Sequence, residues 1–125
     1  MSAGFLIGPY NHNGCYEIDL PLLHDYISTT WKNVRINDSG ISILNWEIHE
    51  QSYSALCDLQ NNKQTVSIYG TGGTHLSTAT IAIWYRAFVP SQCELFLYSG
   101  SRWDNPLELT SQTTLEDVIS WLSNE

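Results

Sequence analysis

A run of strand-forming and small residues at positions 79–89 constrains the fold of this chain more than any other feature. Isoleucine, tryptophan, tyrosine, phenylalanine and valine make up most of the run, and these residue types favour strands. Both alternating sets of positions are nearly apolar, which is typical of a strand covered on both faces. Pro90 follows the run and cannot donate to a β-ladder. The run therefore predicts a central strand over residues 79–89.

Shorter segments predict the rest of a mainly antiparallel sheet. Alternating apolar and polar positions, bounded by turn residues, indicate short strands. We predict hairpins that join 53–59 to 65–69 and 79–89 to 94–98, with a short helix over 50–59 as the alternative to the first strand. The predicted short strands cover residues 5–7, 34–36, 41–48, 53–59, 65–69, 94–98 and 107–110.

Two helices are predicted, one near each end of the sequence. Asp19 is a good N-cap, and Pro21 is tolerated in the first turn, so a helix is predicted over residues 20–30. Thr113 and Glu116 have capping-box spacing and precede an apolar stripe, which predicts a C-terminal helix. The expected fold is a single α+β domain, with an antiparallel sheet of about five to six strands and both helices packed on it.

Net charge is the feature that bears most directly on partners. Thirteen acidic residues oppose five basic ones, which gives a formal net charge of −8. Such a charge repels a phosphate backbone and an anionic membrane, so we expect neither nucleic acid nor membrane as a partner. It attracts a basic protein and speeds association. The alternative is that the charge serves solubility alone.

The three cysteines, Cys15, Cys57 and Cys93, indicate the redox compartment. Their odd number and wide spacing match no metal motif. The first ten residues lack the basic flank of a secretory signal, and no apolar stretch approaches the roughly 20 residues that span a bilayer. We therefore expect a cytoplasmic protein with three free thiols.

No motif in the sequence indicates catalysis or cofactor binding. The four histidines are not spaced to share a metal on one helix turn or strand face, and there is no Gly-x-Ser-x-Gly elbow. The glycine-rich stretch 70–74 lacks the lysine of a phosphate loop and precedes a predicted strand, so we interpret it as a connecting loop. We expect no enzymatic activity, no cofactor and no metal.

Arg86 is the single charged residue in the apolar run at 79–89. A buried guanidinium needs hydrogen-bond partners. In the structural interpretation, a carboxylate or several carbonyls lie within hydrogen-bond reach of the guanidinium. The carboxylate would belong to an acid on a neighbouring strand, such as Glu47 or Glu94. The functional interpretation is an arginine that binds an anion.

The layout of segments 81–86, 89–90, 94–98 and 109–110, followed by the helix from Thr113, resembles that of small bacterial immunity proteins. These proteins accompany contact-dependent inhibition and other polymorphic toxin systems. The resemblance covers roughly residues 79–122. It implies a cytosolic, non-enzymatic protein that binds and blocks a toxin domain. The acidic charge agrees with this, because many such toxins are basic nucleases.

The leading hypothesis is therefore a binding protein whose acids and aromatic residues contact a basic protein partner. Trp103 lies in the middle of a loop and is either an interface residue or a cover for the sheet edge. The alternative hypothesis is a small-ligand-binding or regulatory domain with a pocket near Trp84 and Arg86. The candidate partner-binding residues are Trp46, Glu47, Glu50, Asp58, Arg86, Trp103, Asp104 and Glu108.

Overall fold

The computed structural model describes residues 4–9, 16–37, 44–72, 74–99 and 104–124. Strands and helices together make an α+β fold, as predicted. The strands are β1 (Phe5–Gly8), β2 (Val34–Asn37), β3 (Leu44–His49), β4 (Ser54–Leu59), β5 (Val66–Gly72), β6 (Phe96–Ser99) and β7 (Leu107–Glu108). The helices are α1 (Leu20–Thr30), α2 (Thr74–Phe88) and α3 (Leu115–Ser123).

The strands of the described residues form one antiparallel sheet of seven strands in the order β2-β3-β4-β5-β1-β6-β7. Strands β2 to β5 form a meander, in which each strand pairs with the next along the chain. Strand β1 then separates β5 from β6 and pairs with both. Each of the seven predicted short strands has a counterpart in the sheet, although residues 41–43 of the predicted strand 41–48 lie outside the described residues. The helix considered over 50–59 is wrong because β4 occupies most of that segment.

The prediction for residues 79–89 is wrong, because most of this run lies in α2, which spans Thr74–Phe88. A run that is apolar on all sides fits a buried helix as well as a central strand, and tertiary packing overrides the local strand preference. Helix α2 lies between the sheet and α3, and its Trp84 also stacks on Tyr26 of α1. Consecutive residues such as Trp84, Tyr85 and Arg86 are therefore all buried. The predicted hairpin with 94–98 is therefore wrong too, since β6 pairs with β1 and β7.

The same correction changes the context of the glycine-rich stretch 70–74. Strand β5 runs to Gly72 and α2 begins at Thr74, so the stretch leads into a helix and not into a strand. A phosphate loop was rejected partly because a strand was predicted to follow this stretch, and that reason no longer holds. The other ground stands, because the lysine that such a loop needs is missing from the sequence.

Helix α1 begins and ends where the sequence predicts. The Asp19 side chain accepts a hydrogen bond from the backbone N–H of Leu22 at 3.2 Å, which caps the first turn. Leu23 and Ile27 are fully buried, one turn apart on the same face. The Tyr26 hydroxyl donates to the Trp84 carbonyl at 2.8 Å and so ties α1 to α2.

Helix α3 begins one residue later than the predicted cap. Its capping box consists of Thr114 and Asp117, and not of Thr113 and Glu116. The Thr113 hydroxyl is used elsewhere, since it accepts from the backbone N–H of Thr110 at 2.8 Å. The apolar stripe packs chiefly on α2, so the helix covers the sheet only through that second layer.

The core between sheet and helices is centred on an aromatic cluster around Trp84. Its ring centroid lies 4.7 Å from that of Tyr26, 4.8 Å from that of Trp31 and 6.0 Å from that of Trp46. The Trp84 indole donates to the Thr30 hydroxyl at 2.8 Å, so its polar atom is satisfied. These rings join α1, α2 and β3 into one packed unit.

Two tyrosines anchor the segment before α1 to the turn between β4 and β5. The hydroxyls of Tyr16 and Tyr85 both donate to the Gln64 carbonyl at 2.7 Å. The Gln64 side chain in turn donates to the Tyr16 carbonyl at 2.8 Å. Burial raises the pKa of both tyrosines above the ordinary value, and Tyr85 is fully buried.

The cysteines differ from the prediction of three free thiols. Cys57 is free and buried on β4, but Cys93 is disulfide-bonded. Cys15 lies outside the described residues. An odd number of cysteines requires that one thiol is unpaired, but it does not exclude a disulfide between the others. The cysteine count alone was therefore no ground for predicting three free thiols. None of the helices in the described part of the chain is long and apolar enough to cross a membrane.

Candidate functional site

The helices cover only one face of the sheet. Residues that point to this covered face are buried, such as Ile7, Trp46, Cys57 and Ile68. Because side chains alternate along a strand, their neighbours point to the opposite face. Across the described residues no helix lies on that second face. We call it the open face.

The open face has an apolar centre and acidic flanks. Leu56 and Tyr69 are direct cross-strand partners and are 40% and 43% exposed. They are two of the four large apolar residues that are exposed in the described part of the chain. Half-buried Leu6, Phe96 and Tyr98 extend this centre across β1 and β6. The carboxylates on the open face are those of Glu47, Asp58 and Glu108.

One row of side chains crosses the open face from edge to centre. It runs from Arg35 on β2 through Glu47 and Leu56 to Tyr69 on β5. The Glu47 carboxylate lies 4.0 Å from the Arg35 guanidinium and 3.5 Å from the His49 ring nitrogen. These pairs are exposed, so they orient Glu47 and add little stability.

The absence of a side chain at Gly4 allows the Tyr69 ring to lie over β1. A Cβ atom at Gly4 would approach Cε1 of Tyr69 to 2.9 Å, which is closer than real Cβ contacts. The ring is therefore held close to the backbone of β1 while its other side stays exposed. A large aromatic ring fixed in this way contributes contact area to an interface with little loss of conformational entropy.

Three of the predicted partner-binding residues, Glu47, Asp58 and Glu108, share the open face. Asp104 is exposed in the loop before β7, away from the strands themselves. Glu50 follows β3, is half-buried and accepts from the backbone N–H of Asn33 at 3.4 Å. Trp103 lies outside the described residues.

Trp46 and Arg86 are not surface contacts, so their inclusion among the partner-binding residues is wrong. Trp46 points to the covered face and is 1% exposed, and Arg86 on α2 is 6% exposed. The alternation in 41–48 already indicated that Trp46 is buried, because it lies in the same register as Leu44 and Ile48. An aromatic residue in the apolar register of a strand belongs to the core.

The apolar centre of the open face was missed from the sequence. Strand β4 has Ala55, Cys57 and Leu59 in its buried register, and Leu56 lies between them. Leu56 alternates with Ser54 and Asp58, so the sequence did place it in the polar register of β4, and the signal was overlooked. A sequence signal did exist for Tyr69, which is out of register with buried Ile68.

Arg86 is held by carbonyl groups, one of the two predicted kinds of partner, and not by the carboxylate of Glu47 or Glu94. Its Nη1 donates to the carbonyls of Cys93 at 3.0 Å and Leu109 at 3.1 Å. Its Nη2 donates to those of Val89 at 3.0 Å and Pro90 at 2.6 Å. Burial lowers the pKa of the guanidinium. The structural interpretation is supported, because this side chain ties the end of α2 to the segments that follow it.

A cleft of about 490 Å³ lies beside Arg86, between the end of α2 and the turn before α3. Trp84 does not line this cleft, because it packs in the aromatic cluster on another side of α2. This cleft thus corresponds to the predicted pocket at Arg86 but does not include Trp84. Among the described residues no group of three potential metal ligands occurs, in this cleft or elsewhere.

Two buried polar atoms on the covered side have no hydrogen-bond partner within the described chain. They are the indole nitrogen of Trp46 and the hydroxyl of Thr78 on α2. Each leaves a desolvated donor without compensation, which costs roughly 1–3 kcal/mol per group.

Comparison with protein-family models, curated proteins and solved structures finds no match to the chain. The resemblance to immunity proteins is thus neither supported nor opposed by a relative. Part of the layout that carries the resemblance, the strand-like segment 81–86, is helical in the structure. The functional proposal consequently depends on the open face and the charge.

Proposed function

We propose that this protein binds and neutralises a basic protein partner through the open face, and that the partner is a bacterial toxin domain. The observation that carries the proposal is an apolar centre flanked by three carboxylates on a sheet face without a helix over it. Exposed apolar patches with a polar rim are typical of protein-binding sites. The net charge of −8 favours a basic partner over an acidic one.

The proposed mechanism is occlusion, with no chemical step by this chain. The acidic field steers a basic partner towards the protein and raises the association rate. At contact, Tyr69 and Leu56 lose their exposed surface against the partner, which slows dissociation. Glu47, Asp58 and Glu108 pair with basic residues around the active site of the toxin and so block access of its substrate.

The test uses the toxin domain encoded by the reading frame beside the gene for this chain. Binding kinetics are measured for a triple variant of the open face, Glu47→Gln, Asp58→Asn and Glu108→Gln. The matched control changes three exposed acids outside the strands of the sheet, Glu17→Gln, Asp25→Asn and Glu116→Gln. Both variants lose the same net charge, so they separate local contact from long-range attraction.

We expect both triple variants to associate more slowly, because steering depends on total charge. Only the open-face variant should also dissociate faster and lose its protection of growing cells, with an affinity loss of about a hundredfold. Equal kinetics for the two variants, or a neighbouring reading frame that encodes no toxin domain, would contradict the proposal. Affinity that does not fall with added salt would also count against it.

The proposal places the protein in the cytoplasm, where thiols are kept reduced. Cys93 is buried on the helix side, and its carbonyl faces Arg86, so it is remote from the open face. We therefore expect the same affinity before and after treatment with a reductant. A loss of binding on reduction would favour an oxidising compartment for this protein.

A further inference from the structure

The cleft beside Arg86 is chemically unlike the rest of this acidic protein. Ile83, Phe88 and Pro90 contribute apolar groups to its lining, and Ser91, Thr110 and Ser111 contribute hydroxyl groups. Arg86 contributes to the lining with a guanidinium, while no acidic residue is among the described residues that line the cleft. Its volume of about 490 Å³ falls in the range of small-molecule sites.

The positive charge at this cleft is not neutralised by a carboxylate. All four hydrogen bonds described for the guanidinium go to neutral carbonyls, and the side chain is 6% exposed. A charge held in a partly dehydrated site acts more strongly on its surroundings than one in water. An anion that enters the cleft therefore meets an attractive field, although the protein as a whole repels it.

A hydroxyl donor is also present at the cleft. The Thr113 hydroxyl accepts from the backbone N–H of Thr110, and the Thr110 hydroxyl accepts from that of Gln112 at 3.1 Å. The two hydroxyls lie 3.3 Å apart, so one O–H can be shared between them. The other O–H remains able to donate to a ligand.

We propose that this cleft binds a small organic carboxylate with an apolar body. The hydrocarbon part packs along Ile83 and Phe88, and the carboxylate lies towards Arg86 and the threonine hydroxyls. Because four of the five guanidinium N–H groups are engaged by carbonyls, the anion is held by charge and by hydroxyl donors and not by a bidentate pair. The affinity is accordingly modest. This function is separate from partner binding by the open face.

The test places a negative charge at the cleft without touching Arg86. Ala87 lines the cleft and is exposed on α2, so Ala87→Glu introduces a carboxylate there, and Ala87→Gln is its neutral counterpart. Octanoate is the probe, octanamide is its uncharged analogue, and inorganic phosphate is an anion without an apolar body. Binding to the full chain is followed by NMR chemical shifts of the cleft residues, with melting curves to confirm that each variant folds.

We expect octanoate to shift the resonances of the cleft, with octanamide and phosphate each at least about tenfold weaker. Ala87→Glu should lose octanoate binding, and Ala87→Gln should retain it. The proposal is overturned if octanamide binds as well as octanoate, if phosphate alone binds equally, or if Ala87→Glu leaves octanoate binding unchanged. No shift at about 10 mM octanoate also overturns it. None of these outcomes bears on the toxin-binding test, since the two experiments use different residues.

Discussion

The two faces of the sheet use the same strands for different purposes. On the covered face, every alternate residue of β3 and β4 is buried against helices, and the aromatic cluster around Trp84 fills the space. On the open face, the residues between them are half-buried or exposed, and two of them, Glu47 and Asp58, are acids. Alternation along a strand thus assigns neighbouring residues either to the core or to the open face.

The difference also shows in how each face treats its charges. Arg86 on the covered side is enclosed and is bound by four carbonyls. Arg35 on the open face is 81% exposed and lies 4.0 Å from one carboxylate. Removing the Arg86 guanidinium would leave buried carbonyls without a donor, which would cost folding free energy. The attraction between Arg35 and its carboxylate partner is exposed, so water and salt weaken it.

The difference between the two arginines can be tested by replacing each of them, in turn, with methionine. We expect Arg86→Met to lower the free energy of unfolding by about 2–4 kcal/mol, because it leaves several buried carbonyls unpaired. Arg35→Met should change it by less than about 0.5 kcal/mol. Urea denaturation of the two variants beside the parent measures both values. Equal effects would show that the guanidinium of Arg86 is more accessible than its contacts indicate.

A second test concerns Tyr85 on the covered side, whose pKa is raised by burial. Above pH 10 the unfolded chain ionises this tyrosine while the folded protein keeps it neutral, so stability falls as the pH rises. The expected contribution is about 1.4 kcal/mol per pH unit above the unfolded pKa of about 10. In Tyr85→Phe the alkaline loss of stability should become shallower by that amount. An unchanged slope between pH 10 and 11.5 would argue that Tyr85 ionises freely in the fold.

The smallest predicted effect is a gain in the free energy of unfolding and not a loss. Thr78 is fully buried on α2, and its hydroxyl has no partner among the described residues. Thr78→Val replaces the hydroxyl with a methyl group of similar shape and a similar helix propensity. We expect the free energy of unfolding to rise by about 1 kcal/mol. A decrease on thermal or urea unfolding would indicate that a buried water satisfies the hydroxyl.

Local signals in the sequence predicted those elements whose packing is one-sided. Helix α1 was found from Asp19 and its apolar stripe, and the meander strands were found from alternation and turn residues. The central element, α2, was assigned to the wrong class because it is buried nearly all round and so lacks periodicity. The acids of the open face were among the candidates because of the net charge and their nearness to aromatic residues in the sequence. Its apolar centre was missed although alternation placed Leu56 and Tyr69 opposite the buried registers. Which carbonyls hold Arg86 depends on tertiary contacts that no local pattern contains.

The position of β1 between β5 and β6 has a consequence for how the chain folds during synthesis. Phe5 pairs with Ile68 on one side and with Ser99 on the other, so its partners emerge from the ribosome long after it does. The meander from β2 to β5 can assemble from local contacts, which form quickly. Until β1 docks, β5 presents an unpaired edge to other nascent chains. A chaperone that holds β1 or shields that edge would therefore act on the slowest and most aggregation-prone stage of folding.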